Sequence, residues 1–78
     1  MEITLKLFAT LRKHIKESEG GVCTLQLPEN TSVNTVVEQL TIPQDIPKII
    51  LINGHQKKPE DILVDGDTLS IFPPIAGG

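Results

Sequence analysis

The residues best placed for chemistry in this chain carry no reactive side chain. They are Gly77 and Gly78, the last two of 78 residues. A glycyl α-carboxylate is a poor electrophile as it stands. Once activated, for example as an acyl-adenylate, its carbonyl is easily attacked, because no Cβ shields it. Phe72-Pro73-Pro74-Ile75-Ala76 leads into the pair. The two prolines lack backbone N–H groups and favour an extended, polyproline-like path. Ile75 and Ala76 add no charge. The segment reads as a narrow apolar thread suited to a tight channel, with the Gly78 carboxylate at its tip. A Gly-Gly dipeptide by itself fits a frayed terminus as well. The prolines, the apolar pair and the strand before them favour the thread.

Other chemistry is hard to find. The net charge is −3 and the pI about 5.2. A nucleic-acid binder needs a basic excess, so none is expected as a partner. No signal peptide and no membrane-spanning apolar run is apparent, which makes the cytoplasm the expected compartment and no membrane an expected partner. Cys23 is the single cysteine. It excludes an intrachain disulfide and a cysteine-cluster metal site. Its position among alternating apolar residues suggests a small buried hydrophobe. A nucleophilic role would need a neighbouring base or cation, and none is evident. His14 and His55 have no ligand-like spacing and read as surface residues, so no metal is expected. There is no phosphate-binding loop and no catalytic triad, so the chain is not expected to be an enzyme alone.

The elements that must hold the tail follow from periodicity. A chain of this length forms one domain with a small core. There is no Trp or Tyr and only two Phe, so the core is aliphatic and Phe8 and Phe72 need a separate explanation. Glu2 to Phe8 alternates, with Ile3, Leu5 and Leu7 on one face and Phe8 on the other. Phe8 is then either covered by the next segment or exposed for a partner. Ala9 to Glu17 suggests a short helix with Leu11 and Ile15 on its stripe, followed by a loop from Ser18 to Gly21. Val22 to Leu27 is a second strand. Thr31 or Ser32 caps the main helix, whose apolar residues are Val33, Val36, Val37 and Leu40. Pro43 stops it. Lys48 to Ile52 is a continuous apolar strand, and Asn53-Gly54 turns it into a short polar edge strand, His55 to Lys58. Ile62 and Leu63 are expected to plug the core. Asp65-Gly66-Asp67 turns the chain into the last strand, Thr68 to Phe72. The expected fold class is α+β: a β-grasp with a mixed sheet of four to five strands, the first and last parallel in the middle, and one main helix on one face. Residues 1–72 would form this domain and residues 73–78 an extended tail.

With this order and this ending together, the chain resembles the ubiquitin-like sulfur carriers of the MoaD/ThiS family. The specific parts are the Asn53-Gly54 hairpin, Leu63-Val64-Asp65-Gly66-Asp67, and Phe72-Pro73-Pro74-Ile75-Ala76-Gly77-Gly78. The double proline resembles the small subunit of molybdopterin synthase more than the thiazole-forming carrier. The resemblance implies that an E1-like enzyme adenylates Gly78 with ATP, and that a sulfur donor protein converts the adenylate to a thiocarboxylate. The large subunit of molybdopterin synthase, or an equivalent acceptor enzyme, then takes the sulfur. The carrier itself would bind no cofactor, since ATP belongs to the activating partner. Thiazole or another sulfur metabolite as the destination, and attachment of Gly78 to lysines of other proteins as a ubiquitin-like modifier, remain alternatives.

Pattern also suggests a docking surface. If Leu69 and Ile71 face the helix, Phe72 lies on the open face together with Phe8. By resemblance to ubiquitin, Ile49 and Leu51 should join them. The expected partner-binding set is Phe8, Ile49, Leu51 and Phe72, with Pro73, Pro74, Ile75 and Ala76 of the tail. The competing reading is that the two phenylalanines are tucked under a loop.

Overall fold

Alternation in the first segment produces a strand with one dry face. In β1, Glu2–Leu7, the side chains of Ile3, Leu5 and Leu7 are buried while Glu2 is exposed and Thr4 and Lys6 are half-exposed. The computed structural model describes residues 1–9, 11, 20–43 and 47–73. Its further elements are β2 (Val22–Gln26), α1 (Val33–Gln39), β3 (Ile49–Ile52), β4 (His55–Gln56) and β5 (Thr68–Phe72). The sheet order is β2-β1-β5-β3-β4. β1 and β5 run parallel at its centre, and the other neighbours are antiparallel. A parallel pair needs a crossover, and α1 lies in it. This is the β-grasp arrangement expected from the sequence.

The core lies between α1 and one sheet face. Val33, Val36 and Val37 supply the helical side and are at most 2% exposed. Ile3, Leu5, Leu69 and Ile71 supply the central strands. Three β-branched valines give α1 little intrinsic helicity, so this burial must hold it. Capping helps. Ser32, in an extended conformation, accepts a hydrogen bond at its hydroxyl from the Thr35 N–H at 3.2 Å. The neighbouring Thr31 is buried and donates instead to the Pro28 carbonyl at 2.6 Å.

Three expectations need correction. The helix ends at Gln39, ahead of Pro43. Thr41 turns left-handed at φ 58°, its N–H donates to Glu38 O, and the Ile42 N–H reaches back to Val37 O. This pair of bonds is a Schellman stop, which buries Ile42 behind the helix end. Pro43 only follows it. Second, Leu63 plugs the core but Ile62 does not: they are 1% and 50% exposed. Ile62 sits in an isolated bridge with Ser32, and alternation there turns its side chain outward. The strand after Asn53-Gly54 is also shorter than expected, at two residues. The helix expected at residues 9–17 lies almost wholly outside the described residues. Leu11 is described; it is buried, and its N–H donates to Phe8 O at 3.1 Å.

The two turns at one end of the sheet are tied together. Asn53 and Gly54 have φ of 53° and 84°, the paired positive values that a type I′ hairpin requires. Asn53 Nδ2 donates to Asp67 Oδ1 at 3.0 Å, and its Oδ1 accepts from the Thr68 N–H at 3.0 Å. Asp67, 6% exposed, also accepts from the Val64 N–H at 2.9 Å. Asp67→Ala would strand both donors. We expect it to lower the unfolding free energy by about 1–3 kcal/mol, read as a lower midpoint in urea; an unchanged midpoint would show that the network carries no stability.

Candidate functional site

The sheet register decides which residues share the face turned away from α1. Lys6 is opposite Val22 on one side and Ser70 on the other. Ser70 is opposite Leu51, and two residues further along β5, Phe72 is opposite Ile49. The Phe8 N–H donates to Ile71 O at 3.3 Å, carrying the central ladder one residue past β1. Phe8 therefore arrives beside Phe72. The two rings stack with centroids 4.1 Å apart and planes 10° from parallel. Each covers one face of the other, which leaves both half-buried rather than open.

β3 resolves the parity of its continuous apolar run. Ile50 and Ile52 are buried, while Ile49 is 40% exposed and Leu51 half-buried. The outward pair is the one expected. Phe8, Phe72, Ile49 and Leu51 thus form one apolar patch, at the end of the sheet where β5 runs out. Pro73, half-buried, continues directly from it. At the opposite end the same face is polar: Thr4 is opposite Thr24 and Thr68. The apolar end of the open face is therefore where the described chain leaves the sheet. Pro74, Ile75, Ala76, Gly77 and Gly78 lie outside the described residues.

Cys23 lies across from Leu5, half-buried against the core. Burial pushes its thiol pKa up. Less thiolate is then present at neutral pH, which makes it a weak nucleophile. Among the described residues no cluster of three His, Cys, Asp or Glu side chains could hold a metal ion, and no helix is long and apolar enough to cross a membrane.

Two residues gain meaning only here. Asp67 organises the turns but offers no periodic signal, since the partner that ties it to the other turn, Asn53, is far off in sequence. Lys6 lies diagonal to Phe72 on the open face. Parity in β1 puts it outward, but only the parallel register with β5 puts it next to the patch.

The mixed five-stranded sheet and its one described helix define a ubiquitin-like β-grasp protein with the fold of the ThiS/MoaD-type sulfur carriers. A family model described as the ThiS family matches residues 5–78, and the chain belongs to that family. No curated protein matches the sequence. Among solved structures, the HVO 2177 protein of Haloferax volcanii is similar at TM-score 0.77 and 26% identity, covering 100% of this chain and 87% of its own. Small archaeal modifier protein 1 of H. volcanii gives 0.75 and 19%, covering 95% and 98%. A chain from the complex of subunits 1 and 2 of molybdopterin-converting factor from Helicobacter pylori gives 0.63 and 22%, covering 100% of both.

Proposed function

We propose that the chain is the sulfur-carrying small subunit of a molybdopterin synthase-like complex. In this reading residues 73–78 form a tail on the 1–72 domain, and Gly78 is its reactive end. An E1-like partner joins the Gly78 carboxylate to AMP from ATP, with loss of pyrophosphate. Sulfide-level sulfur from a donor protein then attacks the Gly78 carbonyl carbon, the carbon–oxygen bond to AMP breaks, and a thiocarboxylate and free AMP result. The open face docks on the large subunit, the tail enters that subunit's active site, and sulfur passes to a pterin precursor. Gly77 keeps the approach to the reacting carbonyl free of side chains. ATP and the general bases belong to the partners.

The observation that carries this reading is the coincidence of the Phe8–Phe72 stack with the start of the tail. A half-exposed apolar patch on a small domain fits an interface, and this one would fix the origin of the thread. The Phe-Pro-Pro ending and the likeness to a chain of the converting-factor complex support the molybdopterin branch. Expression in a strain lacking its own synthase small subunit is expected to restore molybdoenzyme activity. Rescue of a thiazole-carrier mutant instead would move the assignment to that branch.

The likeness to small archaeal modifier protein 1 favours a second reading, in which activated Gly78 is joined to lysines. Isopeptide-linked ladders that depend on Gly78 would support it. A thiocarboxylate on the free chain, without ladders, would support the carrier.

A further inference from the structure

Among the described residues, the charge nearest the apolar patch on the strands of the open face is Lys6. Lys6 sits on β1 opposite Ser70, diagonal to Phe72. Its neighbours across the ladders, Val22 and Ser70, are uncharged. Among the described residues its ammonium makes no hydrogen bond or ion pair. The acid that shares this face of β1 is Glu2. It lies four residues back along the strand, roughly 13 Å away, and accepts from Gln26 Nε2 at 3.1 Å. At that distance salt screens most of its attraction for Lys6.

A partner seated on Phe8 and Phe72 would exclude water from around Lys6. An ammonium desolvated without a counter-charge costs several kcal/mol. The body of the chain, at net −3, repels acidic proteins, so attraction to an acid has to be local. We infer that the docking large subunit presents a carboxylate to Lys6, and that this pair sets the orientation in which the apolar patch is engaged. This rests on the reading of the open face as the docking surface. The partner chemistry is thereby specified: an apolar pocket for the stacked rings with an Asp or Glu at its border. Such a pair contributes mainly to encounter rate and to rejection of wrong partners.

The test is titration calorimetry of the full-length chain against the purified large subunit from the same organism, at low and high salt. Wild type is compared with Lys6→Glu, Lys6→Met, Lys6→Arg and Phe72→Asp, each checked by circular dichroism. Lys6→Glu is expected to weaken binding at least about tenfold. Lys6→Met should lose most of the salt dependence, and Lys6→Arg should keep it. If Lys6→Glu and Lys6→Met bind like wild type while Phe72→Asp does not, the charge pairing is wrong and the docking face stands. If Phe72→Asp also binds like wild type, the docking face itself is wrong and the inference falls with it.

Discussion

A chain ending at Gly77 is expected to lose sulfur loading by at least about 100-fold while keeping the circular dichroism of the full chain. The deletion leaves a glycyl carboxylate at the tip, so the chemistry of the end group is unchanged. What changes is reach. One extended residue spans about 3.5 Å. Reaction needs the attacking and attacked atoms within about 3–3.5 Å, and a misplacement of 1 Å can cost about 100-fold. In the proposed reading the thread is already extended where it leaves the sheet at Phe72, so it cannot make up a whole residue by stretching. The last residue of the sheet ladder is Phe72, six residues before the deletion, so the fold should not register it. Loading at the wild-type level by the shortened chain would show that the partner reads the glycine type and not the position.

Phe72→Asp is expected to weaken binding to the large subunit by about 30- to 1000-fold, the range of an aromatic hot spot worth about 2–4 kcal/mol. The substitution removes the stack with Phe8 and places a carboxylate in the middle of the patch. The same carboxylate would stand diagonal to Lys6 and compete for its charge. Stability should fall much less. Phe72 is half-buried at the end of β5, while its neighbour Ile71 is fully buried and untouched. Losing the aromatic pair costs about 0.5–1.5 kcal/mol. Circular dichroism together with a pull-down separates the two effects. An unfolded variant would mean that the ring pair is a structural plug rather than an interface.

The parts of this fold that could be read in advance are those where a local rule has one outcome. Asn53-Gly54 satisfies the two positive φ values of a type I′ turn, and it makes that turn. Ile3, Leu5 and Leu7 can share a face only in a strand. Ile49 to Ile52 was different: four apolar residues in a row have no period, so its outward parity came from the likeness to ubiquitin. The misreadings arose where tertiary context outweighed a strong local signal. Pro43 is a helix breaker, but the left-handed Thr41 had already closed α1 so that Ile42 could be buried. Ile62 is as apolar as Leu63, yet only one of two adjacent residues in an extended segment can point inward.

For the candidate site, single-strand parity was enough to put Phe8 and Phe72 on one face. Their stacking was not legible, because it depends on the parallel register of strands at opposite ends of the chain. The same register gives Lys6 its place. The Asn53–Asp67 bond likewise joins two turns that neither local sequence links. The reading of residues 74–78 rests on sequence: Pro74, side chains without charge and the two glycines.

The central claim is that this domain presents the Gly78 carboxyl group for activation and sulfur loading by other proteins. Its most direct test is mass spectrometry of the C-terminal fragment after incubation with an E1-like adenylating enzyme, ATP and a sulfur donor. Cleavage after Lys57 releases residues 58–78, which contain neither Met1 nor Cys23. Oxidation of those sulfur atoms therefore cannot mimic the exchange. The account predicts that this fragment gains the mass difference between sulfur and oxygen, only with ATP, and at Gly78. An unchanged fragment mass, with the adenylating enzyme active on its own carrier, would contradict it.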